Sequence, residues 1–134
     1  MSIYFGLAIS STMFPKECVI VRKEIDSKSP NSILKSLINA SIIICDPFHK
    51  RIINILESRF SLNIDLPPNR PIINLKNGDI LIIAEVSGLP ITSWHKYSQD
   101  EIDGASIIFV QHKIHTGVVH ETEETTIKGD EYFA

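Results

Sequence analysis

Residues 46–51 read Asp-Pro-Phe-His-Lys-Arg, and at this point an apolar run ends and the clearest helix pattern of the chain begins. Asp46 is predicted to be the N-cap and Pro47 the first helical residue, because the missing N–H of proline needs no partner there. The apolar residues recur at helical spacing: Phe48, Ile52, Ile55, Leu56 and Phe60. The pattern predicts an amphipathic helix that packs one face on a core.

Short apolar runs on both sides of this helix predict the strands of a sheet. They cover residues 3–9, 18–25, 41–45, 72–75, 80–86 and 105–114, and residues 61–68 are interpreted as an extended segment or an edge strand. The first two runs are expected to form a hairpin-like pair. Asn77-Gly78 predicts a second hairpin, because both residue types tolerate a positive φ.

Two further helices are predicted, one of about two turns around residues 33–38 and one over residues 99–104. The second follows Ser98 and Glu101, which have the spacing of a capping box. Together these elements predict an α/β fold: a single domain with a mixed central sheet of about five strands and two to three helices.

Length and composition set the class of protein. A chain of 134 residues with 43% hydrophobic content fits one domain, over residues 1–115, followed by an acidic, weakly packed or disordered tail over residues 116–134. The net charge of −3 argues against binding to duplex nucleic acid. Cys18 and Cys45 lack CxxC spacing, so reduced thiols and a cytoplasmic location are expected. No apolar run approaches the ~20 residues that cross a bilayer, and neither export nor a membrane partner is predicted.

The predicted helix start is also a candidate anion site. Lys50 and Arg51 would lie beside backbone N–H groups that have no intrahelical partner, an arrangement that attracts phosphate. His49 in the same turn could act as general base or acid when a ribose 2′-OH attacks the neighbouring phosphorus, a reaction that needs no metal. The alternative is a half-buried histidine at the edge of the apolar stripe.

Two other places carry candidate ligand contacts. Ser10 and Ser11 follow the first strand, where hydroxyls and backbone amides commonly face a ligand, and the alternative, which the sequence alone favours, is an ordinary turn. Arg70 lies between an asparagine and a proline, where its guanidinium could contact a phosphate through two N–H groups. The alternative is an ordinary surface arginine.

Aromatic residues and histidines are further candidates for base stacking and for metal binding. Trp94 and Tyr97 could stack on a base or could fasten their loop to the sheet. His112 and His115 are three apart in a strand and point to opposite faces, so no metal site is predicted. The sequence has no GxSxG, Walker A, GxGxxG or HExxH pattern, and no cofactor is expected.

In order and spacing these features resemble a family of small α/β proteins from archaeal viruses, phages and bacteria that includes the viral ring nucleases, which are anti-CRISPR enzymes. The resemblance covers about residues 3–114. It rests on a strand ending in a Ser-rich loop, His49 at a helix start, Asn69-Arg70 opening a strand and Gly78-Asp79 at a hairpin. A strand ending in Gly-Leu-Pro, the segment Tyr97–Ile102 and a final strand follow.

The resemblance implies a homodimer that holds cyclic tetra-adenylate across its two-fold axis and cleaves it into products ending in a 2′,3′-cyclic phosphate. By position, His49 would be the catalytic residue. The implied ligand-binding residues are Ser10, Ser11, Lys50, Arg51, Arg70, Ser87 and Gly88. The chain departs from the family at residues 87–92, which hold neither the arginine nor the glutamate of the family's later loop.

The sequence therefore predicts a protein that binds a cyclic oligonucleotide second messenger and cleaves it without metal, countering host antiviral defence in the host cytoplasm. Two alternatives remain open. One is a non-catalytic sponge that sequesters a nucleotide signal, because a pocket can keep anion affinity without a complete catalytic set. The other is a protein-interaction inhibitor without a nucleotide pocket.

Overall fold

The computed structural model describes residues 1–26, 32–69, 71–89 and 97–117. The elements in these ranges are β1 (Ile3–Gly6), β2 (Val19–Ile25), α1 (Ser32–Asn39), β3 (Ile42–Ile43), α2 (Lys50–Phe60), β4 (Ile80–Ser87), α3 (Gln99–Gly104) and β5 (Ser106–His115). Single 3-10 turns lie at Ser11–Met13 and Pro47–His49. The predicted loop around Trp94 and the tail beyond Gly117 fall outside the described residues.

The strands form one sheet in the order β2-β5-β4-β1-β3. β1 runs parallel to both of its neighbours, β3 and β4, while β5 runs antiparallel to β4 and β2. The α/β fold, with a single domain, a five-stranded mixed sheet and three helices, is confirmed. β4 is nearly continuous in apolar residues because it lies in the middle of the sheet and is covered on both faces.

The core lies on both faces of the sheet. On one face α1 and α2 cover the strands, and this helix-side cluster includes Phe5, Leu34, Leu56 and Phe109, all fully buried. On the other face irregular chain replaces helices, and the loop-side cluster consists of Met13, Ile44, Leu75, Leu81, Ile83 and Ile114. The segment after α2 passes from one face to the other, because Leu62 and Ile64 belong to the first cluster and Leu75 to the second.

Both hairpin predictions are wrong. β2 pairs with β5 rather than β1, in a regular register from Val19↔His115 to Ile25↔Phe109. Residues 71–76 form no strand, although the Leu75 N–H donates to the Met13 carbonyl at 2.7 Å. The Asn77-Gly78 turn exists, with Gly78 at φ +86°, but it leads into a strand whose neighbours are β1 and β5. The ten-residue β5 lies between β2 and β4 and pairs with both strands. β2 therefore does not pair with β1, and β4 does not pair with residues 72–75.

The start of α2 also differs from the prediction. Asp46 does not cap the α-helix; its carbonyl accepts the His49 N–H at 2.9 Å across a 3-10 turn, and the α-helix begins at Lys50 with His49 as N-cap. The Ile44 N–H still donates to the Phe5 carbonyl at 2.8 Å, so only residues 45 and 46 separate the sheet from the 3-10 turn. The chain must therefore turn tightly between the end of β3 and the helix.

A buried carboxylate, that of Asp79, lies at the amino end of β4. Asp79 is only 5% exposed, and its two oxygens accept the backbone N–H groups of Ser2 and Lys76, each at 2.9 Å. The Asp79 carbonyl accepts the N–H of Ile114 at 3.0 Å. One residue thus connects the first strand, the turn before β4 and the end of β5.

The helices of the described residues are short, and none has the length and apolar character of a bilayer-spanning segment.

Candidate functional site

The candidate residues lie in three segments that follow neighbouring parallel strands. Ser10 and Ser11 follow β1, residues 49–51 follow β3, and Ser87-Gly88 closes β4. Because β3, β1 and β4 are adjacent and parallel, their carboxyl ends meet at one edge of the sheet. Ligands of open α/β sheets bind in the crevice outside this edge.

His49 is the most distinctive side chain of this edge. It is half-buried, and its Nδ1 atom is fully buried without a hydrogen-bond partner among the described residues. Buried polar atoms are normally paired, since leaving one unpaired costs free energy. A neutral imidazole has one ring nitrogen that can accept a proton or a hydrogen bond from a hydroxyl.

Arg51 and Tyr97 come together, although they are far apart in the sequence. Burial raises the pKa of the Tyr97 phenol, while the charge of Arg51 lowers it and that of Glu101 raises it. A phenol that is affected by the Arg51 charge lies close to the first turn of α2. Tyr97 is therefore within range of the Arg51 charge.

Ser10 opens on a different surface. It lines a cleft of about 330 Å³ with Thr12, Met13 and residues 71–73, on the loop side of the sheet, and His49 is not among the lining residues. Its hydroxyl is hydrogen-bonded to that of Thr12 at 2.8 Å. Residue 71 of this lining adjoins Arg70, which itself falls outside the described residues.

Ser87 and Gly88 are exposed where the chain leaves β4. Gly88 adopts φ +88°, which a side chain would strain, and an added Cβ would lie 3.7 Å from the Gly104 carbonyl oxygen. The next residue, Leu89, is buried in the helix-side cluster. The glycine is explained by this turn, and its proposed ligand contact remains a prediction.

His49, Lys50 and Arg51 thus adjoin at the start of α2 and the Arg51 charge acts on Tyr97, while Ser10 lines a separate cleft. Sequence reasoning missed Thr12 as the partner of Ser10 and the closeness of Tyr97 to α2. The run of three hydroxyl residues at 10–12 was a signal for the first. The second depends on tertiary packing and had no local signal.

His112 on β5 has a structural role. His112 is buried, and its Nδ1 lies 3.2 Å from the Leu81 carbonyl oxygen, across the β4–β5 pair. In the ranges that the structure describes, no three His, Cys, Asp or Glu side chains are grouped closely enough to hold a metal ion.

Cys45, next to the candidate site, is expected to be inert in the folded protein. Burial raises the pKa of its thiol to about 12, while a backbone hydrogen bond lowers it. At pH 8 the thiolate would make up roughly one part in ten thousand of the Cys45 side chains, and only the thiolate is nucleophilic.

With iodoacetamide at pH 8, we expect mass spectrometry to find rapid modification of the half-buried Cys18 and modification of Cys45 only in denaturant.

The Cys18→Ser variant is the control for this labelling and should show no rapid reaction. Equal rates at Cys18 and Cys45 in the native protein would contradict the buried thiol.

Comparison with known proteins defines the fold rather than a family. No family model matches the sequence, and no curated protein matches it significantly. Among solved structures, B116 of Sulfolobus turreted icosahedral virus is similar, with a TM-score of 0.59 and 18% sequence identity over 84% of this chain and 99% of that chain. This chain therefore shares the small α/β fold of a protein from a Sulfolobus virus.

Proposed function

We propose that this chain binds a small cyclic oligonucleotide of the cyclic tetra-adenylate class at the start of α2 and cleaves it without a metal. The observation that carries the proposal is His49, whose Nδ1 is a buried polar atom without a partner among the described residues, at the carboxyl ends of three parallel strands. Lys50 and Arg51 adjoin it and supply positive charge for phosphates. The resemblance to the viral ring nuclease family names the ligand class.

The chemistry follows from this placement. The His49 imidazole takes the proton of a ribose 2′-OH, and the 2′ oxygen attacks the neighbouring phosphorus as the bond from phosphorus to the 5′ oxygen breaks. The leaving 5′ oxygen takes a proton from solvent and His49 returns the proton of the 2′-OH to solvent, so the products carry a 2′,3′-cyclic phosphate and a 5′-OH, and no water is consumed. Lys50 and Arg51 stabilise the charge that develops on the phosphoryl oxygens.

The proposal is tested with radiolabelled cyclic tetra-adenylate in EDTA. We expect the wild type to give linear products and His49→Ala to lose at least about 100-fold in rate, the usual contribution of a general base. His115→Ala is the matched control and should keep full activity, because His115 ends β5 at the opposite edge. Absence of cleavage by the wild type, or unchanged cleavage by His49→Ala, would reject the catalytic part.

Binding is measured separately by calorimetry. Lys50→Ala and Arg51→Ala should each weaken Kd by about tenfold or more, since hydrogen bonds to charged groups contribute about 1.5–3 kcal/mol. Lys35→Ala on α1 is a control of equal charge. Unchanged affinity in both α2 variants would remove the proposed anion site.

Two alternative functions have distinct outcomes in the same experiments. A sponge would bind the nucleotide tightly and release it intact after denaturation. A protein-interaction inhibitor would show no thermal shift with any cyclic nucleotide, while a host protein co-purifies. Residues 87–92 lack the family's arginine and glutamate, which favours the sponge as second candidate.

We also propose that the working assembly is a homodimer, with no duplex nucleic acid or membrane as partner and a cytoplasmic location.

A further inference from the structure

One side of the β2–β5 strand pair is both basic and apolar, and it is left partly open to solvent. This basic face consists of three opposed pairs in the register of the two strands: Val19 with His115, Val21 with Lys113, and Lys23 with Gln111. Opposed residues of neighbouring strands lie on the same side of a sheet. Gln111 is also opposite Ile82 of the helix-side cluster, so the basic face is on the helix side. Val21 is nevertheless 50% exposed, because α1 and α2 leave this part of the sheet uncovered.

The charges of β2 and β5 are separated between the two sides of the sheet. Lys23, Lys113 and His115 lie on the helix side, with no acidic residue of either strand among them. Arg22 lies on the loop side and forms an ion pair with Glu85 of β4 at 2.9 Å. Lys23 and Lys113 form no ion pair within the part of the chain that the structure describes. Two such ammonium groups beside exposed valines fit an acidic segment that also carries apolar residues.

We infer that the basic face is covered by the chain's own residues 118–127, which lie outside the described residues. Their sequence is Val-Val-His-Glu-Thr-Glu-Glu-Thr-Thr-Ile, with three glutamates and neither lysine nor arginine. Carboxylates opposite ammonium groups stabilise such a contact, and the two valines of the segment suit the exposed valines of β2. The segment therefore matches the basic face in both charge and apolar character.

The segment also begins beside the basic face. His115 is the last residue of β5, and the Thr116 N–H is held by the Asn77 side chain at 2.8 Å. Gly117 then adopts φ +81°, a conformation that lets the chain turn back. Lys23 lies four residues along β2 from the partner of His115, which is about 13 Å. An extended chain spans about 20 Å between His115 and the first glutamate, so the glutamates can reach both lysines.

The chain's own segment is favoured over an acidic segment of another protein. Exposed ion pairs are individually weak, and a free acidic peptide would occupy this face only at high concentration. A segment joined to β5 by a short linker is present at a local concentration of about millimolar. Covering the valines would also shield an edge strand from contacts with other chains.

The contact is tested on the full chain with a carbodiimide, which joins a carboxylate and an amine as an amide only where the two groups touch. After proteolysis, mass spectrometry should find Lys23 or Lys113 joined to a glutamate of residues 121–124. Lys35, exposed on α1, is the internal control and should not be joined to this segment. The links should be lost at about 1 M salt, where charges are screened within about 3 Å.

Two matched variants keep the length of the chain and remove acids inside or outside the segment. They are the triple variant Glu121→Gln, Glu123→Gln, Glu124→Gln and the double variant Asp130→Asn, Glu131→Gln. The triple variant should lose the links and should be acetylated faster at Lys113, whereas the double variant should behave as the wild type. Circular dichroism should show the same fold in both.

A mixture of unlabelled and isotope-labelled protein identifies the origin of the segment, because contacts within one chain give links between peptides of the same label only. Links that join labelled to unlabelled peptides would assign the segment to a second copy and overturn the inference. It would also be overturned if Lys23 and Lys113 were not joined to the segment in the wild type, or if the triple variant kept Lys113 as protected as before. None of these outcomes depends on nucleotide cleavage, so this contact and the proposed function stand or fail separately.

Discussion

Replacement of Phe109 by alanine is expected to lower the free energy of unfolding by about 3–5 kcal/mol, the usual cost of removing a buried phenylalanine. Phe109 is fully buried on β5, with its ring 6.4 Å from that of Phe5 and 4.9 Å from that of Phe60, the latter edge to face. It therefore connects the sheet to the last turn of α2. Because domains of this size are stable by only about 5–15 kcal/mol, the variant should be near its folding limit.

Urea unfolding followed by far-UV circular dichroism measures this loss. Phe109→Leu keeps most of the volume and should cost about 1 kcal/mol. Ile72→Ala is a surface control, since Ile72 is 96% exposed, and it should change stability by less than about 0.5 kcal/mol. If Phe109→Ala and Ile72→Ala unfold at similar urea concentrations, the Phe109 ring does not stabilise the core as the structure indicates.

Replacement of Asp79 by alanine is expected to cost about 2–4 kcal/mol, although the residue is small and lies in a turn. The variant leaves the N–H groups of Ser2 and Lys76 without their acceptor in a site that is only 5% exposed. Hydrogen bonds to a charged acceptor contribute more than neutral ones, and an unpaired buried donor carries a desolvation cost. Thermal unfolding should show the loss as a lower Tm.

Asp79→Asn separates the two hydrogen bonds. It keeps one acceptor oxygen, so its loss should be about half that of alanine. Hydrogen exchange gives an independent measure, because the Lys76 amide should exchange faster in Asp79→Ala. Protection of this amide that equals the wild type would contradict the role of the carboxylate.

Local sequence patterns predicted the positions of most helices and strands, but they did not predict which strands pair in the sheet. The capping box of Ser98 and Glu101 is present in the structure, with both reciprocal hydrogen bonds, because all its atoms lie within one helical turn. β4 and β5 were predicted from apolar runs that reflect burial along the strand itself. The partner of β2 was missed, since Val19 pairs with His115 across most of the chain and no residue near β2 signals this.

The candidate site shows the same division. Its helix start was predicted to within a few residues because proline and the apolar spacing are local signals. The buried Nδ1 atom of His49 and the closeness of Arg51 to Tyr97 result from the packing of separate segments on the sheet. Residue types alone contain no information on which loops meet.

The position of β5 between β2 and β4 has a consequence for biosynthesis. β2 is made early, yet its sheet neighbour over residues 106–115 leaves the ribosome about 80 residues later. During that interval Val19, Ile20 and Val21 have neither edge paired and are open to contacts with other nascent chains. Folding of the sheet must therefore wait for the C-terminal strand, and we expect it to be slow, because most of its pairings join distant parts of the chain.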